Sequence, residues 1–344
     1  MIRSVQTVTG PIPVTELGPT LMHEHIFISN PGSEFDPKLA LDRDALIGEA
    51  VRRLVELRQL GIKTFVDPCP IELGRDVGLL REISERSEMW IICATGFYFE
   101  ERGLPFYWRH SSVEEIAEFL VHEIEHGCDG TAIRPGVIKC ATGAPAITAH
   151  ERKFLEAASV ASLATGVSIL THTENGACGP EQQDVFESRG VELHRCLIGH
   201  CCGNADPDYH RRIIERGAYI GFDRIGSIAR QPDEVRADNV VKLLRAGFGS
   251  QIMLSQDRIC AIRGAKPPKA VAQWIADLTA RGEWPPAYTH IFRNFFPMLR
   301  ERGVSDAEIA SIMQENPRRY FSGEPLPERS GRKMPDVLAG ARTH

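Results

Sequence analysis

The sequence predicts a (β/α)8 TIM barrel, an α/β fold in which eight parallel strands each lead into a helix, and three observations point to it. Short apolar runs alternate with amphipathic stretches from about residue 20 to residue 320, as repeated βα units require. No glycine-rich phosphate fingerprint follows the first run, which speaks against a doubly wound dinucleotide-binding sheet. Histidine, lysine and aspartate fall at the C-terminal ends of several runs, the edge at which barrel enzymes carry their chemistry.

The expected strands are Thr20 to Ile26, Ile62 to Asp67, Trp90 to Ala94, Gly136 to Cys140, Val167 to His172, Cys196 to His200, Ala218 to Phe222 and Gln251 to Ser255. Helices fill the gaps. Asp44 precedes the helical stretch Ala45 to Leu60, and Ser111, Thr148 and Ser305 each have a glutamate three residues on, at Glu114, Glu151 and Glu308. In that capping-box pattern, side chain and backbone satisfy each other's open donors. Gly61, Gly166, Gly217, Gly247 and Gly303 follow helices where a left-handed residue ends the turn cheaply. After strand eight, Arg258 to about Pro286 reads as a long irregular loop containing Pro267-Pro268 and Pro285-Pro286, and long loops of this kind serve as lids. The expectation is a single domain, with the barrel over about 14–322 and a surface tail over 323–344.

Composition narrows the function classes. The 344 residues carry a net charge of −6 with no clustered basic face, so a nucleic-acid partner is not expected. No run approaches the roughly 18 consecutive apolar residues of a membrane span. The start, Met1 to Val8, lacks the charged and apolar regions of a secretory signal. The nine cysteines form no C-x-x-C pair and read as small buried hydrophobes in a reducing compartment. These features lead to the expectation of a cytoplasmic protein with a small-molecule substrate and no membrane or nucleic-acid partner, and with a homodimer as an allowed assembly.

The candidate site begins at His23-Glu24-His25. In a strand, His23 and His25 project to one face and Glu24 to the other. Two such histidines can simply be solvated or packed. What sets them apart is that Lys139, His172, His200 and Asp257 occupy the same end of four other runs. Six groups exceed one tetrahedral zinc and suit two metals with a shared bridge, although a protonated lysine is not a ligand. His122 and His126, with Glu123 and Glu125 between them, read as a solvated helix face. His110, His150, His194, His210, His290 and His344 lack the strand-end context and read as structural or exposed. Phe99 and Phe106 read as rim packing.

Taken in order, His23-Glu24-His25, Thr64-Phe65-Val66-Asp67-Pro68, Gly74-Arg75-Asp76, Val137-Ile138-Lys139, Thr171-His172-Thr173, Ile198-Gly199-His200, Phe222-Asp223-Arg224-Ile225-Gly226, Ser255-Gln256-Asp257 and Glu315-Asn316-Pro317 resemble the phosphotriesterase-like family of the amidohydrolase superfamily. The resemblance runs from about Val14 to Phe321. It implies two divalent metal ions bridged by N6-carboxylated Lys139, with His23, His25 and Asp257 on the more buried ion and His172 and His200 on the more exposed one. Zinc is the first expectation, and such N and O ligands also accept Co, Mn or Fe. A metal-bridging hydroxide would then attack the substrate, and Asp257 would carry the proton toward the leaving group.

Within the family, Thr95 to Phe99 and Leu104 to Trp108 are similar to the lactonase branch, which gives Tyr98 and Arg224 substrate-placing roles. The expected reaction is opening of a lactone or cleavage of a related carboxylic ester, with promiscuous organophosphate triesterase activity. An amide or phosphoester hydrolase of the same superfamily is the alternative. A non-catalytic metal-binding barrel fits less well, since all six ligand positions are filled. Arg258 to Gly264 is more basic than the lactonase pattern. Arg258, Arg263, Lys266 and Lys269 are expected to favour a polar or anionic substrate, with Arg263 folding over the rim.

Overall fold

The computed structural model describes residues 3–267, 269–282 and 287–328. The chain opens with an antiparallel hairpin of β1 (Ser4–Thr7) and β2 (Gly10–Pro13), which sequence analysis did not anticipate. Its residues Val5 and Ile12, with Val14 and Leu17, pack beside Met22, Val66, Ile92, Leu170, Leu197 and Met253.

The barrel strands follow as β3 (Thr20–Leu21) with its continuation β4 (His25–Ser29), β5 (Thr64–Asp67), β6 (Trp90–Gly96), β7 (Val137–Thr142), β8 (Ile169–Thr173), β9 (Cys196–Ile198), β10 (Tyr219–Phe222) and β11 (Ile252–Leu254). One eight-stranded sheet runs in the order β3-β5-β6-β7-β8-β9-β10-β11, parallel at every pairing. This is the expected (β/α)8 barrel. All eight expected strands exist, with ends displaced by a few residues.

The first expected strand is interrupted at Met22 to Glu24, where the barrel closes. Asp257 donates its N–H to His23 O at 3.0 Å and His25 donates its N–H to Arg258 O at 2.7 Å. The Glu24 side chain does point away from the two histidines, and it enters this seam. There its carboxylate accepts from Ser255 Oγ and from the N–H groups of Gln256 and Arg258, each at 2.8 Å. The expected irregular loop is corrected in the same place. β12 (Ile259–Arg263) runs parallel to β4, pairing Ile259 with His25 and Arg263 with Ser29. A helix, Lys269–Ala280, follows it. Pro268 and residues 283–286 lie outside the described residues, as does the expected tail from Arg329 onward. The nearer part of that tail packs: Glu324 pairs with Arg318 at 3.1 Å and Leu326 lies against the core.

Two helix caps differ from expectation by one or two positions. The cap of Arg43–Gln59 is Asp42, which accepts from Ala45 N–H at 3.0 Å, and not Asp44. The box expected at Ser111 and Glu114 sits at Ser112 and Glu115, because the Ser111 hydroxyl instead donates to Tyr107 O at 3.3 Å. The boxes at Thr148 and Ser305 are formed, and all five helix-ending glycines are left-handed. Glu123, expected on a solvated face, is buried and holds Arg75 at 2.6 Å.

Removing the seam carboxylate strands several buried donors. Glu24→Ala is expected to cost about 3 kcal/mol, at about 1–3 kcal/mol for each unpaired donor. Urea unfolding measures it, and a loss below about 1 kcal/mol would mean that the seam does not need Glu24.

Candidate metal centre

Side chains of His23, His25, Lys139, His172, His200 and Asp257 all line one cavity of about 580 Å³ at the C-terminal rim. Ligating atoms of His23, His200 and Asp257 lie within 4.8 Å of one another. His25 Nε2 is 3.3 Å from Asp257 Oδ1, and Lys139 Nζ is 3.4 Å from His23 Nε2. The His172 and His200 rings meet at 4.5 Å between centroids. The six residues predicted for the site are therefore brought together.

Backbone detail puts them there. Lys139 sits on β7 beside Gly96, where a Cβ would lie 1.9 Å from Lys139 O, so the neighbouring strand passes only because position 96 has no side chain. His200 was expected on its strand, but β9 ends at Ile198 and His200 follows in the left-handed region at φ 59°. Asp257 is left-handed too, at φ 51°. Such residues cost about 1–2 kcal/mol in a non-glycine and cluster where function requires a particular side-chain direction.

Each histidine is held from behind by a carboxylate. Asp223 reaches His23 Nδ1 at 3.2 Å with one oxygen and His200 Nδ1 at 2.9 Å with the other. Asp67 holds His25 Nδ1 at 3.0 Å and also accepts the Ile26 N–H at 2.9 Å. Glu174 holds His172 Nε2 at 3.0 Å. Partners of this kind fix ring orientation and tautomer and leave the second nitrogen to act as a donor. Asp67, Asp223 and Glu174 are not among the residues expected at the site from the sequence. Asp67 ends a predicted strand and Asp223 directly follows one, so the strand-end criterion that found the histidines was available for both. Nothing local marks Glu174.

The electrostatics favour neutral rings and ionised oxygens. Burial lowers His23 to about 4 and His172 to about 3, and it holds His200 well below the usual range. At His25, burial is outweighed by Asp257 and Asp67, which raise it to about 9. A bound cation competes for that site against the proton. Burial also opposes ionisation of Asp257, yet the hydrogen bond from His25 and the charge of Arg224 keep its carboxyl well below the usual range. Burial lowers Lys139 to about 8. A second group, His25, Asp67 and Cys69, also comes within 4.8 Å. There burial raises the Cys69 thiol well above its ordinary value, which makes it a poor donor.

Tyr98 and Arg224 border the same cavity. Tyr98 OH is 3.3 Å from His172 Nδ1, and its N–H donates to Glu72 at 2.7 Å. Arg224 Nε donates to Asp257 Oδ2 at 2.9 Å. Phe99 is buried and stacks on His172 at 5.3 Å, whereas Phe106 is 71% exposed, so rim packing holds only for the first. Arg263 does not line the cavity. Its Nε donates to Ser29 Oγ at 2.9 Å and its guanidinium lies over the Phe27 ring. Lys266 does line it, with Ile259, Ile262, Pro267 and Ile275 of the covering segment.

The remaining histidines stay outside the cavity lining. His122 and His126 are exposed, His150 pairs with Glu100 and His290 with Asp233. His210 is buried against Cys201 O, and His344 lies outside the described residues. All nine cysteines are buried and free.

A barrel with this rim is the scaffold of a hydrolase. The family model described as the phosphotriesterase family matches residues 3–321, and the chain belongs to that family. It is 33% identical over 329 residues to a phosphotriesterase homology protein of Mycobacterium tuberculosis, covering 92% of this chain and 97% of the relative. It is 32% identical over 313 residues to an aryldialkylphosphatase of Saccharolobus solfataricus, covering 89% and 96%. Among solved structures, a substituted PTE-like lactonase of Deinococcus radiodurans superposes with a TM-score of 0.85 at 37% identity, covering 92% of this chain and 99% of that one. Among the described residues, no helix is long and apolar enough to cross a membrane.

Asp223 serves two rings at once. Asp223→Ala is expected to weaken divalent-metal affinity about 10–100-fold while the fold survives, as read by equilibrium dialysis beside circular dichroism. Unchanged affinity would reduce Asp223 to a packing residue.

Proposed function

We propose that the protein is a binuclear-metal hydrolase that opens a lactone or cleaves a related carboxylic ester. The observation that carries this reading is the set of four carboxylate-backed histidines meeting Asp257 and Lys139 in one cavity. This donor set fits a pair of divalent cations, zinc first. His23, His25 and Asp257 would hold one ion, His172 and His200 the other. Lys139 lines the cavity with no carboxylate in ion-pair range among the described residues. Carboxylated on Nζ, it would supply the bridging anion that an ammonium group cannot.

Metal ions held there would lower the pKa of water toward neutrality and polarise a carbonyl or phosphoryl oxygen. The chain's own groups do the rest. Asp257, kept ionised, accepts a proton and passes it to the leaving oxygen. Burial keeps the Tyr98 hydroxyl protonated, so it donates a hydrogen bond to a substrate oxygen beside His172. Arg224 steadies Asp257 through Nε and presents Nη1 to the substrate. Ile28, Leu73, Ile259 and Ile262 line the same cavity and shield the reacting group from bulk water. Tyr98 and Arg224 at the cavity favour the lactone reading over amide or phosphoester hydrolysis. The aryldialkylphosphatase and PTE-like lactonase relatives support a site that also tolerates organophosphate triesters. A cavity of this size suits a small-molecule substrate, and a cytoplasmic setting remains part of the proposal.

Three measurements test the reading. Elemental analysis is expected to find two divalent ions per chain, and turnover on a lactone and ester panel is expected to accompany them. Two ions with no turnover would point to a binding protein instead. Lys139→Ala should lose metal and activity together, with partial recovery from added short carboxylates. Tyr98→Phe should keep its metal and lose about tenfold in kcat/KM, the worth of one hydrogen bond at about 1.4 kcal/mol. Unchanged kinetics on the best lactone would remove Tyr98 from the site.

A further inference from the structure

We propose that the substrate carries a separate anionic group, a phosphate or a carboxylate, which Arg102 and Lys266 meet at the cavity mouth. This rests on the hydrolase reading above and names its substrate class.

Besides the residues at the centre, the cavity is lined by Arg102, Glu174, Arg224, Arg230 and Lys266. Both available carboxylates are committed: Asp257 to Arg224 at 2.9 Å, and Glu174 to His172 at 3.0 Å and Arg230 at 3.3 Å. Arg230 also donates to Asn175 Oδ1 at 2.7 Å. The exposed side chains of Arg102 and Lys266 make no hydrogen bond or ion pair among the described residues. Within this lining Arg224 and Arg230 are each held by a carboxylate, so Arg102 and Lys266 carry the unmatched positive charge, in a protein that as a whole is acidic at −6.

A second observation lies deeper in the same cavity. The Arg224 side chain is only 6% exposed, and its Nη1 has no partner among the described residues. A buried donor without an acceptor costs about 1–3 kcal/mol, and a substrate oxygen would satisfy it. The cavity thus presents one buried donor near the centre, an apolar wall of Ile28, Leu73 and Ile262, and two cations at the mouth. A molecule that fits has an ester oxygen at one end and a negative charge at the other. Like-signed cations at a low-dielectric opening also concentrate anions and speed their capture.

The test uses the full chain loaded with metal and three γ-lactones of matched size, bearing a phosphooxymethyl, a carboxymethyl or a hydroxymethyl group. The expected result is a kcat/KM at least about tenfold higher for an anionic lactone than for the neutral one at low salt. This advantage should shrink several-fold between about 0.05 and 0.5 M salt, and it should fall toward unity in the double variant Arg102→Gln with Lys266→Gln. A preference for the phosphorylated lactone alone identifies a dianion, and equal preference for both identifies a single charge. A ratio near unity in the wild type, or one that the double variant leaves unchanged, overturns the inference. If none of the three lactones turns over, the lactone reading fails separately. Calorimetric binding of the three open-chain hydroxy acids then decides: tighter binding of the acids with the added charge, lost in the double variant, upholds the anion site, and equal binding overturns it.

Discussion

A closed barrel needs its first and last strands to meet, and here they meet through the residues that also form the site. The backbone bonds from Asp257 to His23 at 3.0 Å and from His25 to Arg258 at 2.7 Å close the seam. The side chains of His23, His25 and Asp257 therefore cannot drift apart without opening the barrel. Glu24 is the keystone of this junction. It is wholly buried, and burial raises it to about 8, against the pull of the Arg258 N–H, the Ser255 hydroxyl and the Arg258 charge. A buried carboxyl is tolerated only where donors surround it, and the seam supplies them from the adjoining residues Ser255, Gln256 and Arg258.

The same economy governs the histidines. Four imidazoles packed within a few ångströms would be mobile and variably protonated in water. Burial removes the proton from three of them, and Asp67, Asp223 and Glu174 fix which nitrogen faces inward. Asp223 ties together rings that arrive from opposite ends of the chain, His23 and His200. The left-handed backbone at His200 and Asp257 is a local cost that the surrounding hydrogen bonds hold in place. Polar chemistry is thus concentrated at the barrel rim, under an apolar wall to which Ile28 of β4, Leu73, and Ile259 and Ile262 of β12 contribute.

The covering segment shows how the residues beyond the centre acquire their roles. Arg263 and Lys266 are three positions apart, and sequence offered no basis for ranking Lys266 first. Pairing of β12 with β4 turns Arg263 toward Ser29 and Phe27 and leaves Lys266 at the cavity. Arg102 drew no attention in the sequence, yet the turn after Tyr98 sets it on the same lining.

Sequence alone determined the barrel, the two intact capping boxes at Thr148 and Ser305, the left-handed glycines and the six residues that converge at the rim. Each of these is written in local spacing: apolar alternation, a cap three residues from its glutamate, a polar group at the end of an apolar run. Only the tertiary structure decided that Glu24 closes the seam, that Asp223 is shared by two histidines 177 positions apart in number (200 less 23), that β12 exists as a strand, and which cations remain unmatched. Those facts depend on partners distant in sequence. A strand needs a neighbour to pair with and a charge is neutralised by whatever lies within a few ångströms, and neither distance is encoded in the spacing of residues along the chain.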